Sequence, residues 1–148
     1  MIITADRRTP TRYGDTPVVV LDTLAVPDPC GDEVLRAAID TAGERLPNEL
    51  LSIFAAHRVD VAVHVGDLWG LGRMMPTTGR VRRVLALHVV GHDIDMAAAL
   101  DRAELVIAPS AVVLQRACVR GYDTTGWRVV PNALLVDGRA LDGPPWRW

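Results

Sequence analysis

Short apolar runs alternate along this chain with stretches whose apolar residues recur at helical spacing. Residues 17–24, PVVVLDTL, are an almost unbroken apolar run, the pattern of a strand buried on both faces of a parallel sheet. Residues 1–15 ahead of it read as a short strand and a turn. The loop AVPDPCG leads to Asp32, which is expected to cap a helix over 33–45 with Val34, Leu35, Ala38, Ile39 and Ala42 on one face. Pro47 and Asn48 should break the chain, and 49–58 should restart it as a second helix with Leu50, Leu51, Ile53, Phe54 and Ala55 mostly inward.

The alternation then repeats. DVAVHV and RRVLALH read as strands separated by a glycine-punctuated loop, GDLWGLG, and a longer stretch containing Met74, Met75, Pro76 and Thr77. A helix over 96–102 follows, then the strand ELVIAP, a helix over 111–120 capped by Ser110, and the strand WRVV. Strand–helix alternation predicts an α/β fold, a Rossmann-like parallel sheet flanked by helices. One sheet is expected to hold residues 18–22, 60–65, 83–88, 104–108 and 127–130.

In such a sheet the carboxyl ends of the strands open on one edge, where ligands bind. The residues brought there are Asp22, His64, Gly66, Asp67, His88, His92, Ser110 and Asn132. Histidines at strand ends can donate to a sugar hydroxyl or phosphate oxygen, or accept a proton, since their ordinary pKa leaves both forms accessible near neutrality. His88 leads this group because a small turn, Val89-Val90-Gly91, and a second histidine follow it at once. His64 is expected to orient GDLWGLG, and each of these histidines has the alternative role of pinning a loop. His57, on a helix surface, should be solvated. Ser110 is first a helix cap, and the free N–H groups it leaves make an anion site.

Composition narrows the chemistry. The 148 residues fit one domain, and a net charge of −2 gives no bulk attraction for nucleic acid. All sixteen basic residues are arginine, so a Walker lysine, a Schiff-base lysine and a lysine base are all excluded. Neither Cys30 nor Cys118 has a partner at ligand spacing; no metal site is expected, and the two read as buried reduced thiols. No run approaches the roughly 20 apolar residues of a membrane span, and the start lacks a signal-peptide pattern. A cytoplasmic location is therefore expected. Arg73, Arg80, Arg82 and Arg83 form a basic cluster suited either to an anionic acceptor, a nucleotide phosphate or peripheral contact with a membrane surface, or to the solvated flanks of a strand. The run VVVLD with Pro27 and Gly31 invites comparison with a phosphoacceptor loop, but the required lysine is missing. Asp22 reads instead as a loop-capping acid. A Gly-x-Gly-x-x-Gly between strand and helix is missing too.

Residues 58–137 together resemble the later part of the N-terminal lobe of family-four GT-B glycosyltransferases. HRVDVAVHV resembles that family's strand ending in histidine, and RRVLALHVVG its next strand, with a histidine and loop at the interlobe cleft. ALDRAELVIAPSAVVLQRACVRGYD is similar to its helix, acidic turn, strand, Ser-capped helix and Gly turn, and WRVVPNALLVD to the strand and Pro-Asn turn that close the lobe. The resemblance implies a single GT-B lobe over 1–140, with 141–148 as a tail or the start of an interlobe linker. It implies an acceptor-side cleft with His88, at the family's acceptor-side histidine, as the catalytic residue. His64, Gly66, Asp67, His92, Ser110 and Asn132 would bind substrate, a small-molecule or glycan acceptor. The donor substrate would be a nucleotide sugar, with no other cofactor and no metal. The family's donor-binding lobe, with its paired glutamates, is not in these residues, which would be either a truncated form or one subunit of a split enzyme whose donor lobe another chain supplies, so no activity is expected of them alone. Leu141, Trp146 and Trp148, beyond the last motif, would either offer an interface or form a frayed terminus. The alternative is a non-catalytic Rossmann-like binding or regulatory module.

Overall fold

The computed structural model describes residues 1–26, 31–65, 74–91 and 93–131. Its first sheet is built from both parts of the N-terminal segment. β1 (Ile2–Thr4) pairs in parallel with β3 (Thr16–Val20), and β2 (Arg12–Tyr13) pairs antiparallel with β3 on its other side. Gly14, at φ 54°, takes the first position of the two-residue turn between β2 and β3, where a positive φ suits the twist of the strands. The expected strand and turn before residue 17 is thus a strand and half a hairpin. β3 ends at Val20, short of Asp22. After Leu21 donates its amide to Thr4 at 2.8 Å, the next two amides turn toward a side chain of the following helix pair.

That pair is α1 (Asp32–Ala42) and α2 (Arg45–Ala56). α1 opens one residue earlier than expected, with Gly31 at the N-cap position that had been expected of Asp32. It stops at Gly43, whose φ of 50° ends the helix. The expected break at Pro47 does not occur, because α2 already begins at Arg45. Pro47 stands in its first turn, where the N–H that proline lacks would have no helical partner anyway. At the far end Arg58 adopts φ 51°, and the Val59 amide reaches back to the Phe54 carbonyl at 2.9 Å.

The second sheet is all parallel and holds β4 (Val61–Val65), β5 (Arg82–Ala86), β6 (Leu105–Ala108) and β7 (Arg128–Val129) in that order. α3 (Asp93–Arg102) lies between β5 and β6 in sequence, and α4 (Ala111–Val119) between β6 and β7. The fold is α/β, among the described residues a four-stranded parallel sheet with four helices, in keeping with one Rossmann-like lobe. One expectation is corrected: among the described residues the strands make two sheets, because β3 bonds to β1 and β2 and neither β3 nor β1 bonds to β4.

Register fixes which side chains share a face. His64 pairs with Leu85, and Leu85 with Val106, so these three and Ala62 point to one side. That side carries both apolar clusters. Leu21, Leu35, Ile39, Leu46, Leu50 and Phe54 pack with Ile3 and Ala62, while Leu85, Leu87, Met96, Ala99 and Val106 pack with Val113 and Trp127. Each fully buried Leu or Ile contributes about 1.5–3 kcal/mol relative to exposure. A long-range ion pair bridges the two groups of helices: the Arg36 guanidinium on α1 donates to Asp95 Oδ2 on α3 at 2.8 and 3.0 Å. Asp95 is only 2% exposed. On the opposite side of β4, Val61, Val63 and Val65 are 50%, 54% and 68% exposed.

Candidate functional site

The carboxyl ends of the second sheet are aligned by its ladder. Val65 pairs with Ala86, Ala86 with Ile107 and Ile107 with Arg128. The ladder continues one step further, since Leu87 donates to Ile107 at 2.8 Å and Val130 to Ala108 at 2.8 Å. The residues that follow, His88, Pro109-Ser110 and Pro131, therefore leave the sheet on the same edge. Of the candidates read from the sequence, the structure brings His88 and Ser110 to this edge. Gly66, Asp67, His92 and Asn132 lie outside the described residues, as do Arg73, Cys30 and the tail with Leu141, Trp146 and Trp148.

His88 is exposed, and among the described residues it makes no hydrogen bond. Beside it, Val89 and Val90 face α4 across a shallow cavity of about 580 Å³ that is also lined by Val112, Gln115, Arg116, Val119 and Arg120. The floor is apolar, with two guanidinium groups at the rim. Arg120 is occupied: it donates to the carbonyls of Gly91 at 2.8 Å and Val90 at 3.4 Å, which holds the turn after His88 against the end of α4. This clamp was missed in the sequence, where Arg120 looked like the last residue of a helix. Arg116, one turn earlier, is exposed and has no ion-pair partner among the described residues. Ser110 caps α4 as expected, its hydroxyl accepting from the Val113 amide at 3.3 Å, so that oxygen already has a structural duty.

His64 lies within its strand, and the loop GDLWGLG that it was expected to orient is outside the described residues. The histidine is the fourth residue of β4, within the ladder, and its ring turns toward the helix-covered side. Burial lowers its pKa from 6.5 to about 4, because a desolvated imidazolium is costly. It lines a second cavity, of about 500 Å³, between β1 and β4, whose base is formed by Leu46, Leu50, Phe54 and Met74. That cavity is mainly apolar, with His64 and Thr4 in its lining, and stands apart from His88.

Two further readings change. Among the described residues the Asp22 carboxylate caps no amide, and Asp22 is itself capped. Its amide donates to Glu49 Oε1 at 2.6 Å, the Thr23 amide donates to Glu49 Oε2 at 3.0 Å, and the Thr23 hydroxyl also donates to Oε2. Glu49, on α2, is the capping acid. Arg83 is not a solvated flank: its guanidinium holds the Arg102 carbonyl at 2.8 Å and Glu104 at 2.7 Å. Arg80 and Arg82 are exposed. Cys118 is exposed, not buried. Among the described residues no cluster of His, Cys, Asp and Glu could hold a metal ion, and no helix is long and apolar enough to cross a membrane.

No protein-family model matches the chain, and no curated protein or solved structure matches it significantly.

Proposed function

We propose that these residues form the acceptor-side lobe of a glycosyltransferase, contributing to transfer of a sugar from a nucleotide-sugar donor held by a separate donor-binding lobe. The observation that carries the reading is the placement of an exposed His88 at the carboxyl edge of a four-stranded parallel sheet, beside the shallow cavity formed by Val89, Val90 and α4. The order of motifs along residues 58–137 supports it independently.

The chemistry asked of these residues is modest. The apolar floor would bind the body of an acceptor, Arg116 would attract an anionic group on it, and the His88 ring would hydrogen-bond the hydroxyl that is to be glycosylated. Arg120, by clamping the turn after His88, fixes where that ring begins its reach, and such positioning is a main source of rate in group transfer. The departing diphosphate would be stabilised by groups of the donor lobe. Alone, the chain should bind acceptor weakly and transfer nothing.

The test is to mix the purified chain with nucleotide sugars and a panel of glycan and lipid-linked acceptors, with and without a candidate donor-lobe protein. Transfer only in the mixture, lowered by His88→Ala at unchanged thermal stability, supports the proposal. Transfer at ordinary enzyme rates by the chain alone would contradict it.

A further inference from the structure

Helix α4 carries apolar residues on both of its sides. Ala117 is buried and Val113 packs against the core cluster of α3 and β5. On the outward side Val112 and Val119, 57% and 80% exposed, stand two turns apart with the exposed Arg116 between them, the spacing of a single helical face. The exposed Val89, on the turn after β5, adjoins that face across the shallow cavity. A surface helix ordinarily turns polar residues to water, and one that is apolar all round is covered by something. A contiguous exposed apolar patch is the mark of such a contact.

Charge decides what covers it. From Leu105 to Tyr122 the chain holds two charged residues, Arg116 and Arg120, and no acid. Arg120 donates only to the carbonyls of Val90 and Gly91, so its charge is not cancelled, and Arg116 has no ion pair among the described residues. No acidic side chain lines the cavity. On a chain whose net charge is −2, this is a local cationic patch, and bulk attraction would not supply its partner.

We propose that the outward face of α4 seats this chain on an anionic membrane surface, the valines entering the headgroup layer and Arg116 pairing with lipid phosphates. The planar guanidinium matches phosphate geometry, and its stem can lie along apolar surface while its head stays among the headgroups. The face is unlike a protein contact, which is centred on aromatic anchors, because no aromatic side chain lines it. A second copy docked by the same face about a two-fold axis would set Arg116 and Arg120 against the same two cations, an arrangement that like charge opposes. The inference is read from lipid binding alone and does not need the glycosyltransferase reading. Where that reading also holds, and resting on it, the acceptor is one presented from the bilayer.

The test uses the purified full chain and vesicles of phosphatidylcholine with and without about one third phosphatidylserine, with no sugar or acceptor present. Cosedimentation with the anionic vesicles is expected, weakening as salt rises. Arg116→Gln should lower the partition coefficient about fivefold, the effect of one cation near such a surface. Val112→Gln with Val119→Gln should lower it by about fivefold or more, through lost apolar burial. Arg80→Gln with Arg82→Gln removes two exposed cations at the far end of β5 from Val89 and, more than a Debye length away, should change it less than about twofold. Val119→Cys, in a chain whose native cysteines are changed to serine, should react with a water-soluble maleimide as fast as a free thiol, and about tenfold more slowly on anionic vesicles. No binding, or equal binding to both vesicle types, overturns the proposal. So does a loss on replacing Arg80 and Arg82 as large as that on Arg116→Gln. A Val119→Cys thiol already shielded without vesicles overturns it too, the occupant then being another part of this chain in a monomer or a second copy in a dimer. Vesicle binding with these variant effects, combined with a His88 ring that no acceptor shifts, sustains this inference while the acceptor reading fails.

Discussion

Replacing Glu49 by alanine should loosen the join between β3 and α2 more than any single core methyl would. The carboxylate gathers three donors that otherwise have no partner in the turn, the amides of Asp22 and Thr23 and the Thr23 hydroxyl. A hydrogen bond to a charged group is worth about 1.5–3 kcal/mol, but these three share one acceptor and the turn is partly open to water. A cost of about 2–3 kcal/mol for Glu49→Ala, and about 1 kcal/mol for Glu49→Gln, is the consistent expectation. At about 2–4 °C per kcal/mol for a chain of this size, the alanine variant should melt roughly 4–12 °C lower. Burial alone would raise the Glu49 pKa, but the Thr23 hydroxyl and the Asp22 and Thr23 amides outweigh it and hold the carboxyl below its ordinary value. The sign follows: the unfolded state takes up the proton first as pH falls, so this stability is present above the ordinary pKa and is lost as pH drops through the folded one. Urea unfolding across pH 3 to 7 measures both effects. An alanine variant within 0.5 kcal/mol of the parent, or one that keeps the parent's full acid sensitivity, would refute the capping role.

Other substitutions probe other joins. Arg36→Ala leaves the Asp95 carboxylate buried without its partner and should cost about 3–5 kcal/mol, seen as a fall in denaturation midpoint that Asp95→Asn does not match. Arg58→Gly, at a left-handed turn position, should raise stability by about 0.5–1 kcal/mol. Ser110→Ala should cost about 1 kcal/mol, whereas His88→Ala, on the surface, should change stability by less than about 0.5 kcal/mol. His64, whose pKa is lowered to about 4, makes the folded state refuse a proton that the unfolded chain accepts. Stability should fall as pH drops from 6.5 toward 4, and His64→Leu should flatten that part of the profile in chemical unfolding.

The second half of the chain was more legible than the first, for a physical reason. β6 is a continuous apolar run, β4 one interrupted only by His64 and β5 one led by two arginines, and Ser110 stands at the position a cap requires, so local pattern sufficed. In the first half the outcome depends on groups distant in sequence. Asp22 reads as an acid at a strand end, and nothing nearby reveals that Glu49, 27 residues on, caps its amide. Pro47 reads as a breaker until the helix is seen to start two residues before it. The Arg36–Asp95 pair joins residues 59 apart and has no local signature. The split between the sheets was also illegible, because the run at 17–24 looks the same whether its sheet continues to β4 or stops at β1. At the candidate site the sequence singled out the histidine but not Arg120, whose role appears only when the turn after β5 folds against α4.

The central claim is that the edge bearing His88 binds a hydroxyl acceptor and leaves the nucleotide sugar to a separate donor-binding lobe. NMR of the histidine ring C–H signals, assigned with His57, His64, His88 and His92 variants, tests it directly. The purified chain is titrated first with glycan and lipid-linked acceptors and then with nucleotide sugars. A saturable shift of the His88 ring with at least one acceptor, and none with any nucleotide sugar, is the predicted result. Saturable binding of a nucleotide sugar, or acceptor binding that leaves the His88 ring unmoved, would contradict the claim.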